Sequence, residues 1–154
     1  MPSAFSWHTA LVNFGVGAYT MSIDKKLERS NKERVFRRLA KVLEPTGFHL
    51  GKSRFFTRAS LPVIEFVHLH KFSFAPSFRV HVGIRVVNDP FVAVALNGPN
   101  SDEIVSPTGA RYDFQYCEDD ESVDRCVSKI AEFVSNVAEP WFGLFRNRTL
   151  LIIA

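Results

Sequence analysis

The stretch "VHLHKFSFAPSFRVHVGIRV", Val67 to Val86, decides how this chain folds. Its second half alternates strictly. Phe78, Val80, Val82, Ile84 and Val86 fall on one side of an extended chain, and Arg79, His81, Gly83, Arg85 and Val87 on the other. That is the pattern of an antiparallel strand with one buried face. The first half closes a similar segment, "PVIEFVHLHKF", which predicts a strand starting at Pro62. His68 and His70 share a face there, ~7 Å apart along the backbone. His81 adds a third imidazole if the register of the two strands allows it.

A metal site is therefore one reading of the stretch, and two ordinary strands that carry imidazoles is the other. Three features speak for the second. Lys71 and Arg79 bracket the group with positive charge. The only nearby carboxylate in sequence, Glu65, points to the opposite face. Ile64, Phe66 and Phe72 make the histidine face partly apolar. The expectation is imidazoles that hydrogen-bond across strands, with no metal and no cofactor.

Working outward, the period is 3.6 on the N-terminal side. Ile23, Leu27, Val35, Leu39, Val42 and Leu43 predict a helix from about Asp24 to Leu43, with Ser30-Asn31 as a candidate break or cap. "EPTG", Glu44 to Gly47, ends it. "FHLGKSRFFTRAS" then predicts a hairpin turning at Gly51-Lys52. On the C-terminal side, "PFVAVAL" predicts a fifth strand, or a continuation of the fourth beyond a bend at Asn88-Asp89-Pro90. A loop rich in Asn, Gly, Pro and Ser runs from Asn97 to Gly109. "ARYDFQYC" predicts a further strand with Tyr112, Phe114 and Tyr116 on one face. Val123, Val127, Ile130, Val134 and Val137 predict a helix from about Asp120 to Ala138, ended or kinked by Pro140. Strands in a block with helices at both ends give an α+β fold: an antiparallel sheet of about five to six strands with both helices on one face.

Composition agrees with one domain. The chain has 154 residues, 46% hydrophobic and 23% charged, and its 15 Phe suit a core or an interface. A net charge of +3 permits acidic partners without demanding them. Cys117 and Cys126, nine positions apart, match no zinc spacing and are expected as reduced thiols of a cytoplasmic protein. No run approaches ~18 uncharged apolar residues. Residues 1–20 contain no charged side chain, which does not fit a secretory signal. They leave three readings open: an appended segment, a packed element around Phe5, Trp7, Leu11 and Phe14, or a misplaced start before Met21. Residues 21–154 form the single domain. The tail "TLLIIA" is apolar and suits a terminal strand.

Two charged stretches remain. Eight basic residues lie between Lys25 and Lys41, opposed only by Glu28 and Glu33. They suit the solvated face of an amphipathic helix, or a grip on nucleic-acid phosphates. "EDDES", Glu118 to Ser122, sits where a helix N-terminus favours negative charge and a cap.

"VFRRLAKVLEPTGFHLGKSRFFTR", "VIEFVHLHKF" and "FRVHVGIRV" together resemble a bacterial family known as domain of unknown function 4304. The resemblance rests on Leu43, Pro45, Gly47 and Phe48, on Phe55, Phe56 and Arg58, on His70 and Lys71, and on Phe78, Val80, Val82 and Gly83. It spans about residues 33–87. The family tends to carry glutamine where this chain has His70. No reaction is implied. Small bacterial domains of this look occur beside genes for secreted toxins and act as immunity proteins. The resemblance thus implies a non-catalytic protein that occludes its cognate toxin. The polar sheet face and its loops supply the expected partner-binding residues, Arg79, His81, Arg85 and Tyr112. The alternatives are an enzyme with a site at His68, His70 and His81, and a nucleic-acid binder acting through helix 25–41.

Overall fold

The fold was taken from a computed structural model that describes residues 24–87, 90, 96–117 and 119–146. The expectations for residues 1–20, for most of "PFVAVAL" and for the apolar tail lie outside the described residues.

Helix α1 runs Lys25–Leu43 without a break at Ser30-Asn31. Asp24 caps it, its side chain accepting a hydrogen bond from the Lys26 amide. Asn31 is buried inside the helix and takes a hydrogen bond from Arg34 instead of starting a new segment. A 3₁₀ turn, Glu44–Thr46, closes on Gly47, whose φ of 88° is the left-handed conformation that glycine adopts without strain.

Among the described residues five strands follow in a meander: β1 His49–Leu50, β2 Phe55–Ser60, β3 Val63–Lys71, β4 Phe78–Val86 and β5 Leu96–Asn100. All neighbours are antiparallel, in the order β1-β2-β3-β4-β5. The alternation predicted for β3 and β4 is present. Val63, Glu65, Val67 and Leu69 are buried, as are Phe78, Val80, Val82 and Ile84.

Two expectations for the C-terminal half need correction. The loop assigned to Asn97–Gly109 begins as β5, paired to β4 through His81↔Asn100, Gly83↔Asn97 and Ile84↔Leu96. Backbone hydrogen bonds make this strand, and its place at the edge of the described sheet tolerates Pro99. Gly98 lies under the Trp141 ring, so close that an added Cβ would sit 2.8 Å from three ring atoms. Conversely, the segment around Tyr112–Tyr116 is no strand of the sheet. It makes isolated bridges, Val105↔Arg111 and Ser77↔Gln115, while Phe114 and Tyr116 reach the core as their alternation demands.

Helix α2, Asp120–Phe133, starts from a capping box in which Asp119 and Ser122 satisfy each other's backbone amides. It continues through a π-helical turn, Val134–Ala138, into α3, Glu139–Arg146. Pro140 neither ends the helix nor stops its packing. Proline lacks an N–H and crowds the preceding turn, and the widened turn just before it accommodates both.

The helices cover one face of the sheet, giving the α+β layer expected. Val35, Phe36 and Leu39 of α1 and Val123, Val127 and Ile130 of α2 share one core with Phe56, Val67 and Val80. The Phe36 ring stacks on Phe56 at 6.0 Å and meets the edge of Phe78 at 5.7 Å. Among the described residues no helix is long and apolar enough to cross a membrane.

Candidate functional site: the outer face of the sheet

The face turned away from the helices carries the second set of each alternation: Phe55 from β2, Ile64, Phe66, His68 and His70 from β3, and Arg79, His81, Gly83 and Arg85 from β4. None of these side chains joins the core cluster. Register brings the imidazoles together. His68 and His81 are direct cross-strand partners, and His70 faces Arg79. The rings form a near-equilateral triangle with centroid separations of 6.3 Å (His68–His70), 6.2 Å (His68–His81) and 6.1 Å (His70–His81).

Aromatic rings extend this triangle across the strands. His68 stacks on Phe55 at 4.2 Å with an interplanar angle of 11°. Phe55 in turn meets Phe66 edge to face at 5.6 Å. Phe66 lies over Gly83, its cross-strand partner. At the other end Arg79 sits 5.0 Å above Phe72 while pairing with Asp102. Phe72 packs on Phe74, which is 83% exposed at the tip of the β3–β4 loop.

Burial holds His68 below the usual imidazole range, and the nearby His81 and His70 add to this. His81 is lowered as well, first by burial, then by Arg79 and His70. Asp102 and Glu103 pull weakly the other way. Near neutral pH, His68 and His81 are therefore uncharged hydrogen-bonding groups.

The charges near the imidazoles are arranged differently from the sequence expectation. Lys71 belongs to the helix-covered side, where its ammonium contacts Glu28 of α1 at 2.7 Å. Arg79 is neutralised by Asp102 from the turn after β5. Among the described residues no group of three His, Cys, Asp or Glu side chains could hold a metal ion.

Of the expected partner-binding residues, Arg79, His81 and Arg85 share this face, but Tyr112 does not. Its ring packs on Phe133 at 5.0 Å and Phe114 at 5.8 Å, on the helix side of the sheet. The alternation that put Tyr112 with two core aromatics had already placed it there. The basic helix is also partly occupied. Arg34 pairs with Asp120 of α2, and Arg38 contacts both Asp120 and Asp124, so α1 and the acidic start of α2 neutralise each other. Glu28 and Glu33, the two acids on α1, serve Lys71 and Arg54 instead of their helix neighbours.

One constellation went unpredicted. Glu65 is fully buried on the helix side, where Arg58 Nε donates to it at 2.7 Å and Arg146 donates through Nε and Nη2 at 2.7 and 2.9 Å. Glu139 contacts both arginines, and Arg58 lies 4.2 Å above the Phe48 ring. A buried carboxylate needs such partners. The signal was available: Glu65 occupies an apolar slot in the Val63–Val67–Leu69 series. Its function here is to tie β2 and β3 to α3.

No family model, no curated protein and no solved structure matches this chain.

Proposed function

We propose that the chain is a non-catalytic, cytoplasmic protein-binding domain that grips its partner with the outer face of the sheet, and that the partner is a bacterial toxin whose active cleft it occludes. The observation that carries this is one continuous surface of rings and arginines, from Phe66 through His68 and His81 to Arg79 and Phe74, built on strands whose other side is anchored in the core. Aromatic and arginine side chains on a rigid support are what dominant interface contacts are made of. The strands β2, β3 and β4 turn no carboxylate outward, and beyond Arg79, which Asp102 pairs, they present Arg85, so the surface suits an acidic partner. A typical interface of ~800 Å² per side would span much of this sheet. The resemblance to the bacterial family of unknown function 4304 supports the same reading.

The test is co-expression with the protein encoded by the adjacent gene. The expected result is a one-to-one complex on size exclusion and relief of that protein's toxicity. A neighbour that is neither toxic nor bound overturns the reading.

A further inference from the structure

We propose that the exposed side of α1 binds the phosphate backbone of a nucleic-acid duplex, without reading its sequence, through Lys25, Lys26, Arg29, Lys32, Arg37 and Lys41. This activity uses the side of the molecule turned away from the outer face of the sheet, and it stands or falls separately from partner docking there.

The ion pairs single out these six. Of the cations on α1, Arg34 and Arg38 are committed to Asp120 and Asp124 of α2. The other six form no salt bridge among the described residues, and all but the half-buried Lys32 are exposed. The acids of the helix are taken elsewhere: Glu28 holds Lys71, and Glu33, beside Arg29 and Lys32, holds Arg54. Asp24 caps the first turn, and Glu44 lies past the last one. The positive charge of this side therefore remains uncancelled.

Helix geometry sorts the cations into two rows. Lys25, Arg29 and Lys32 follow one another at steps of four and three, on one face. Lys26, Arg37 and Lys41 fall within about 60° of one another and span about 22 Å along the axis. A duplex carries a negative charge per ~1.7 Å of its axis, so a straight row of that length meets roughly thirteen phosphates and needs no particular register.

The same helix argues against other polyanions. A single strand is held by rings that stack its bases, and the one ring on α1, Phe36, is buried in the core. An anionic bilayer takes up an apolar helix face. Here that face, with Val35, Leu39 and Leu43, is already packed, and the exposed apolar residues Leu27 and Val42 stand at opposite ends of the helix.

The test is fluorescence anisotropy of a labelled 20-base-pair DNA duplex titrated with the full chain at 50 to 200 mM salt. Contacts from the longer row predict a log–log slope of about −2.7, a loss of roughly fortyfold over that range. A duplex of unrelated sequence should bind within about threefold. Lys26→Gln, Arg37→Gln and Lys41→Gln combined should weaken binding at 50 mM salt at least roughly tenfold and flatten the slope, by about 1 for each cation removed. A control of equal net charge, Arg111→Gln with Arg125→Gln and Lys129→Gln around the cavities beside α2, should bind as the wild type does. Circular dichroism melts show that each variant has kept the fold. Absence of salt-dependent binding by the folded wild-type chain overturns the proposal. So does an equal loss in the control, which would reflect net charge alone, tighter binding to a single strand of the same length, or retention on phosphatidylserine vesicles.

Discussion

The ring of Phe66 rests on Gly83, its direct partner on the neighbouring strand, so closely that a Cβ on Gly83 would stand 2.3 Å from the ring's Cζ. The glycine makes room for an aromatic that would otherwise stand away from the sheet. Gly83→Ala is expected to lift the ring and cost about 1–2 kcal/mol, as an overpacked contact does. In a Phe66→Ala background the same change should be neutral or stabilising, because alanine lowers the entropy of the unfolded chain. Denaturant midpoints of the four proteins in this cycle measure the difference.

The buried carboxylate gives a larger effect. Glu65 is held by Arg58 and Arg146 at 2.7 Å each. Glu65→Ala leaves two arginines without their central acceptor and should cost about 3 kcal/mol. Chemical denaturation followed by tryptophan fluorescence reports it, since Trp141 lies in α3, which carries Arg146.

Acidification should destabilise the protein through the outer face. Burial holds the folded pKa values of His68 and His81 below the usual imidazole value of about 6.5. In the window below 6.5 the unfolded chain therefore binds more protons than the folded one, and stability falls as pH falls. The contribution is complete above that value and declines until the folded imidazoles themselves take up protons. Against His68 stand Phe55, His70 and His81. Against His81 stand Arg79 and His70, with Asp102 and Glu103 opposing them. Denaturant midpoints between about pH 7.5 and 5.5 should drop, and the double change His68→Gln with His81→Gln should flatten the slope.

The two thiols should react unequally. Burial pushes the Cys126 thiol up to about 12, and its Sγ donates to the Phe114 carbonyl at 3.3 Å. Cys117 is partly exposed and lines a polar cavity of about 290 Å³ with Gln115, Arg125 and Lys129. A disulfide reagent at about pH 8 should modify Cys117 in the folded protein and reach Cys126 only on unfolding.

The strand alternation of Phe78–Val86 carried most of what was legible. It placed the core side and the outer side, with Arg79, His81 and Arg85 on the outer one. Glu65 was equally legible as a polar residue in an apolar series, though its arginine partners were not. Arg146 lies 81 positions away and meets it only through α3. Strand β5 was hidden because "LNGPN" has no strand composition; its pairing is a property of β4's free edge and of the space under Trp141. The opposition of His68 and His81 was hidden as well. It depends on the length of the Phe72–Ser77 connection, which carries no two-residue turn signature to fix the register. The facing of Lys71 followed from the strand alternation, but its pairing with Glu28 of α1 required tertiary structure.

The docking face itself is tested most directly by measuring affinity for the adjacent gene's product with charge-reversed variants on the two sides of the molecule. Arg85→Glu, and separately Phe74→Ala, should weaken the complex by about 2 kcal/mol or more, roughly thirtyfold, as loss of a central anchor does. The pair Arg37→Glu and Lys41→Glu, on the exposed side of α1, should leave affinity nearly unchanged. A complex that tolerates both outer-face changes and is lost with the α1 pair would contradict a partner seated on the sheet.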